Sequence, residues 1–321
     1  MGAVQGSSLY AGSVSKQAIY EISQGSGFQW GSYLYTEINV DGLPRQLTRA
    51  EHAGNPIQAN IANPRDADFA ATSAITIDGR QLSVVELMVI NDFTTTDWKD
   101  TFPEYQPSGL NIDLKINPMI QKVVFDLAME ATKSQINEIH AIGDTALIAP
   151  DPMRWYDGFT TLILADVDAT QVGVPAVLTS VNILAQVQGL IQAVPGRLRN
   201  KTNLVTFCSI ADYDLYNAAR AITQTYIPQT DVAGSPALLQ SFGQRINLVP
   251  IDGMPKDFMF TTLASSDASS NLVQGVWAAS DEDTLKLYRS EEADQTWKIL
   301  LRFDMGIQYK SGKDIFFINA I

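Results

Sequence analysis

The chain has very little of what chemistry is usually built from: one cysteine and two histidines in 321 residues. A single cysteine, Cys208, excludes an intrachain disulfide. Its setting, Leu204-Val205-Thr206-Phe207-Cys208-Ser209-Ile210, suits a small buried hydrophobe better than a nucleophile. His52 and His140 stand in no metal-ligand spacing. His140 closes a helical stretch, where its positive charge would complement the helix dipole. Cationic residues are outnumbered, 22 against 35 acids, and the net charge of −13 gives no overall field to attract a polyphosphate. Lysine is absent between Lys16 and Lys99. No apolar run approaches the ~18 residues that span a bilayer. The opening MGAVQGSSLYAGSVSKQ lacks the basic region and apolar core of a secretory signal, and Gly6 stands where a myristoylation motif needs Ser or Thr. A soluble protein made in a cytoplasm, with no membrane partner, is expected.

Motifs for catalysis are missing as well. Ser311-Gly312-Lys313 is followed by Asp314, not by the Ser or Thr of a phosphate loop. Gly25-Ser26-Gly27 lacks the last glycine of a dinucleotide fingerprint and precedes a strand. There is no Gly-x-Ser-x-Gly elbow. Four Asp-x-Asp pairs occur: Asp66/Asp68, Asp166/Asp168, Asp212/Asp214 and Asp281/Asp283. Asp212 reads as a helix cap and Asp281-Glu282-Asp283 as a solvated turn. A calcium loop starting at Asp166 fails, since Thr170 and Gln171 occupy its fifth and sixth positions. No catalytic, cofactor-binding or metal-binding residue is assigned, no cofactor is expected, and the chain reads as a non-enzyme.

What is present is an ordinary globular composition, 45% hydrophobic and 18% charged, with length for two or three structural units. Residues 1–32 are rich in Gly and Ser and read as an arm or tail. A short strand, Ser32 to Val40, ends at Asp41-Gly42. From Arg45 to about Gln106 the chain reads as turns and extended segments, broken by Gly54, Pro56 and Pro64. Ser73–Ile77 and Gln81–Ile90 carry strand patterns, and Asp78-Gly79 between them is either a tight hairpin turn or a bulge in one long strand. Between Glu51 and Asp113 ten acids face three bases. Such an arm has little core of its own, and a subunit can lay it on a neighbour.

A better-specified element follows. Asn117 is a good N-cap, Pro118 suits the first helical position, and Ile120, Val123, Val124, Leu127, Ile136 and Ile139 recur mostly at helical spacing. The helix predicted over 117–141 would be a rod of ~37 Å stopped near Gly143. Beyond Pro150 and Pro152 the pattern becomes α/β: a helix through Val187 and Ile191, a buried strand at Leu204–Ile210, a helix from Asp212 to Ile222, and more strands. From Thr284 onward, alternating Lys/Arg and Leu/Phe/Tyr predict an antiparallel sheet.

Arm, extended loop, long helix, α/β segment and closing sheet, in that order, resemble the major capsid proteins of tailed bacteriophages, whose fold is shared with encapsulins and the herpesvirus capsid floor. The local likeness runs from Asn63-Pro64-Arg65-Asp66 through Val84–Asp92 to Ile139–Asp144, and includes Arg302–Phe317. The resemblance implies an α+β fold divided as N-terminal arm and first strand (1–44), extended loop (45–90), peripheral domain with the spine helix (91–165), axial α/β domain (166–283), and C-terminal strands returning to the peripheral domain (284–321). It implies a structural subunit that forms pentamers and hexamers of an icosahedral virion shell, assembled in the host cytoplasm. The shell would enclose double-stranded DNA without sequence-specific binding, with portal, scaffolding or other capsid proteins as further partners. No charged helical segment precedes the arm, so scaffolding is expected either as a separate protein or in a precursor piece outside this sequence, and the opening Met1 favours the former. Some relatives join a loop lysine covalently to a neighbour's asparagine; the lysine gap implies no such crosslink here. Candidate contacts between subunits are the loop residues Arg65, Asp66, Asp68, Asp78 and Arg80 with Arg289, Lys298 and Arg302. The alternatives are an encapsulin-type shell and a metal-dependent α/β glycosyltransferase using an Asp-x-Asp pair.

Overall fold

A computed structural model describes residues 8–9, 22–25, 27–38, 44–54, 73–94, 118–222, 237–241, 244–277, 285–289 and 296–320. The strands of the first half are β1 (Ser8–Leu9), β2 (Tyr35–Ile38), β3 (Arg45–Gly54), β4 (Ser73–Leu82) and β5 (Val85–Thr94). Those of the second half are β6 (Thr170–Gln171), β7 (Leu204–Ser209), β8 (Ala237–Ser241), β9 (Gln244–Ile251) and β10 (Phe258–Leu263). They continue with β11 (Leu272–Trp277), β12 (Leu285–Arg289), β13 (Thr296–Tyr309) and β14 (Phe316–Asn319). The helices are α1 (Pro118–Ile142), α2 (Phe159–Ala165), α3 (Ile183–Ala193), α4 (Gly196–Arg199) and α5 (Ile210–Ile222).

The long strand β13 organises the first sheet, whose order is β1-β12-β13-β11-β2, with β5 paired antiparallel along its other edge from Thr296 to Met305. The second sheet has the order β6-β14-β10-β7-β9-β8. There β7 is buried at every position, and α3 and α5 pack with Leu204, Cys208, Leu248 and Met259 of this sheet in one apolar cluster. Cys208 is fully buried and its thiol is pushed up by desolvation, as a packing residue should be. The third sheet is the antiparallel pair β3–β4.

The sheets share a core of aromatic rings. Trp30 lies 5.1 Å from both Phe159 and Phe207, and Phe207 stacks on Phe260 at 4.9 Å. Part of the segment expected to be a tail therefore belongs to the interior: Ile22, Phe28 and Trp30 are buried. Asn137 on α1 fixes that segment. It accepts from the Gln29 N–H at 3.2 Å, donates to the Gly27 carbonyl at 3.3 Å, and its own carbonyl accepts the Trp30 indole N–H at 3.3 Å.

The helix expected over 117–141 is α1, with Asn117 outside the described residues. Gly143 ends it by close approach and not by a left-handed turn: a Cβ there would run into the Tyr156 carbonyl oxygen. The expected dipole role of His140 is overturned. The ring is fully buried between Phe28 and Tyr156, its Nδ1 lies 2.9 Å from both the Ile136 carbonyl and the Tyr156 hydroxyl, and burial holds its pKa near about 3. A neutral imidazole carries no charge for the dipole. Asp212 is likewise not the cap of α5. Ser209 is, through an Oγ that accepts the Asp212 N–H at 3.0 Å, while the buried Asp212 carboxylate accepts from Ser209 Oγ and from the Asp257 N–H.

Asp78-Gly79 forms neither a hairpin turn nor a bulge. β4 runs straight through it, with Gly79 opposite Thr48 and Asp78 opposite Arg49. The interruption comes at Ser83-Val84, where the Ser83 carbonyl packs onto Gly306 so closely that no Cβ fits. The C-terminal strands divide between sheets: β12 and β13 join the first and β14 the second, while β11 also enters the first.

Candidate subunit-interaction surface

Successive residues of a strand point to opposite faces, so the β3–β4 ribbon has two different surfaces. On one, Leu47 and Leu82 bury against Val273, with Tyr35 and Val84 around them. Arg49 and Arg80 share that parity, and both reach into the body of the same chain. Arg49 donates to Ser311 Oγ at 2.7 Å and to Asp314 Oδ2 at 2.6 Å. Arg80 donates to Asp166 Oδ2 at 2.5 Å while its guanidinium lies 4.5 Å over the Tyr309 ring.

Asp166 is the centre of this second tie. Its Oδ2 also accepts the Tyr309 hydroxyl at 2.7 Å, and its Oδ1 accepts the Asp168 N–H at 3.0 Å. Burial works to raise the carboxyl pKa, but the hydrogen bonds from Tyr309, Arg80 and Asp168 outweigh it and hold Asp166 below its ordinary value. The Tyr309 phenol is pushed up by burial and by that same carboxylate. Such a carboxylate is occupied by hydrogen bonds and is no metal ligand in waiting, which removes the Asp166/Asp168 pair from the glycosyltransferase reading. Among the described residues no group of three or more His, Cys, Asp or Glu converges on a metal position. Gly312–Asp314 is a short 3-10 turn whose Asp314 holds Arg49, so it does not cradle a phosphate.

The other surface of the ribbon is open and carries exposed Gln46, Thr48 and Gln81 toward its base and an apolar pair further out. Ile75 and Ile77, two residues apart on β4, are 70% and 75% exposed. A second open patch lies where β5 meets β13: Met88 and Ile90 are about half exposed, and the register sets Met88 opposite Arg302 and Asp92 opposite Lys298. Lys298 Nζ stands 3.8 Å from Asp92 Oδ2, a loose surface pair worth little by itself.

Of the sequence-derived contact candidates, Arg65, Asp66 and Asp68 lie outside the described residues. Asp78 is placed by its backbone opposite Arg49, and Arg289 opposite Trp297, next in register to the Tyr288–Lys298 pair. Lys298 and Arg302 come together on one strand beside the exposed Met88 and Ile90. Arg80 is bound within its own chain. The sequence reading missed Arg49, Asp314 and Tyr309 as the ribbon's fastenings. Their one sequence signal was the shared parity of Leu47, Arg49, Arg80 and Leu82.

The two-sheet body with its long helix and lateral ribbon matches a chain of the satellite phage P4 procapsid that includes the size determination protein. The TM-score is 0.54 at 10% identity, over 95% of this chain and 98% of that one. The fold is that of the phage major capsid proteins. The capsid of the empty GTA particle matches at TM-score 0.51 and 11% identity, over 91% of this chain and 90% of that one. A chain of Gordonia phage Cozz matches at 0.51 and 11%, over 89% and 84%. No family model and no curated protein matches the sequence. The capsid fold is thus preserved here almost without residue identity, which fits a fold defined by layers and pairing more than by motifs.

Proposed function

We propose that the chain is a non-enzymatic structural subunit that self-assembles into pentamers and hexamers of an icosahedral virion shell enclosing double-stranded DNA. The observation that carries this reading is the two-faced ribbon. One face is locked to the body by Leu47, Leu82 and two arginine clusters; the other shows Ile75 and Ile77 to water. An isoleucine side chain moved from water into an apolar contact contributes about 1.5–3 kcal/mol. A ribbon held rigid before contact loses little conformational entropy on docking, so a neighbouring copy is the natural place for that face. The capsid fold and the procapsid and capsid particles among the structural relatives support the same reading.

Arg65, Asp66, Asp68 and Asp78 of one copy facing Arg289, Lys298 and Arg302 of the next are proposed as further polar contacts between subunits, Asp78 from the ribbon face opposite Ile75 and Ile77. Portal and scaffolding proteins are proposed as further partners, and the virion as the location. Electron microscopy of the expressed protein tests the reading. Closed particles are the expected result, and nucleic acid inside virion particles separates a viral shell from an encapsulin-type one. Monomers or dimers at every concentration would sink it.

A further inference from the structure

Asp304 is a buried carboxylate whose side chain has neither a hydrogen bond nor an ion pair among the described residues. It is 8% exposed, on β13, and the antiparallel register sets it directly opposite Glu86 of β5. Directly paired residues share one face of a sheet, with Cβ atoms ~4.5–5.5 Å apart, so two acids are held side by side. Like charges so placed repel, and a buried charge is ordinarily met by a counter-charge or by donors. Burial, and after it the Glu86 charge, push the Asp304 carboxyl above its ordinary value. The other neighbours bring no relief. Arg302, next on this face of β13, is set opposite Met88 and makes no ion pair with either acid. From β11 the register brings Trp277, while Gly306, two residues further along β13, lies under the Ser83 carbonyl, an acceptor. Glu86 is exposed, so the pair opens to solvent from the β5 side.

We propose that Glu86 and Asp304 bind a hard divalent cation, calcium or magnesium, between β5 and β13, with water in its remaining positions. Two carboxylates whose Cβ atoms are ~5 Å apart can both reach one ion at the ~2.0–2.6 Å that oxygen ligands require. Both ions accept a site of carboxylates completed by water, and the exposure of Glu86 leaves room for that water. With only two charged ligands the affinity falls at the weak end of protein calcium sites, about 10⁻⁴–10⁻³ M. The ion cancels the cross-strand repulsion and tightens β5 onto β13 beside the root of the ribbon. None of this depends on the shell reading.

Trp277 makes the site readable, because it stands opposite Asp304 and can pass its excitation to a terbium ion taking calcium's place. Terbium added to the full-length protein should give tryptophan-excited luminescence that calcium competes away. Trp277→Phe should lose most of that luminescence and keep its calcium affinity in calorimetry. Glu86→Gln and Asp304→Asn should each weaken calcium binding by about tenfold or more, since each removes one of two charged ligands. The wild-type melting temperature should rise by about 2 °C at calcium about ten times its dissociation constant. Glu86→Gln, a change at an exposed position, should keep the fold and lose that rise. Wild-type protein that binds no calcium would overturn the site, as would binding and a melting shift unchanged in both acid variants. Wild type that binds no ion, with acid variants that fold but no longer self-associate, would overturn it in favour of a cation from a second copy.

Discussion

The Arg80 guanidinium donates to Asp166 Oδ2 at 2.5 Å across 86 residues of sequence, and the Tyr309 hydroxyl donates to the same oxygen at 2.7 Å. One carboxylate thus joins the ribbon, the end of α2 and the end of β13. It fastens the ribbon to the body on the face opposite Ile75 and Ile77.

Replacing Asp166 with Asn should loosen that joint. Arg80 and Tyr309 would keep their ring contact but lose the charge they share. Removing one partner of a fully buried ion pair costs about 3–5 kcal/mol, and partial exposure of Arg80 reduces this to about 2–3 kcal/mol. Urea unfolding of the unassembled subunit measures the loss. Hydrogen exchange should show β3 and β4 losing protection while α3 and α5 keep theirs.

Ile75→Lys with Ile77→Lys should separate folding from assembly. Both side chains are exposed, so the subunit's unfolding free energy should move by less than about 0.5 kcal/mol. Particle yield in size-exclusion chromatography should collapse. Normal particles from this double variant would show that the face is not an interface.

Acid should weaken the subunit in two stages. His140 has a folded pKa of about 3 against an ordinary 6.5, so from pH 6.5 downward the unfolded chain binds a proton that the folded one refuses. Its contribution is complete above pH 6.5 and is lost progressively toward pH 3, at up to about 1.36 kcal/mol per pH unit. Asp166, held below its ordinary 3.8, contributes above that value and loses its contribution as the pH falls through the lower folded one. Denaturation curves between about pH 4 and 6 should therefore flatten in His140→Gln by close to one proton, whatever the variant's absolute stability.

Gly143→Ala tests the end of the spine helix. The added methyl would strike the Tyr156 and Ile139 carbonyls, and overpacking of this kind costs about 1–3 kcal/mol. Gly189→Ala, in the middle of α3 where a Cβ meets nothing, should be neutral or stabilising. Thermal melts of the two variants should move in opposite directions or by clearly different amounts.

The spine helix was legible because its signals are local: Asn117-Pro118 at the start, apolar residues a turn apart, and Gly143 at the end. The ribbon was less so. Asp78-Gly79 carries a turn signal when read alone, and only pairing with Arg45–Gly54, a poor strand former with its Gly, His and charges, draws it straight. Trp30 and Phe28 sit among glycines and serines, and their burial depends on Asn137 more than 100 residues away. His140 read as a helix-end cation because nothing nearby in sequence announces Phe28 and Tyr156 closing over it. The open isoleucines were visible as a strand pattern, but their exposure follows from which face Leu47 and Leu82 bury. That is decided by β11 and its Val273.

The most direct test of self-assembly is the mass of the native protein in solution, by mass photometry across a range of concentration and salt. The expected result is a closed particle many times the 35.1 kDa of one chain, resolving by microscopy into five- and six-fold clusters. A species that stays at one or two chains under every condition would contradict the account.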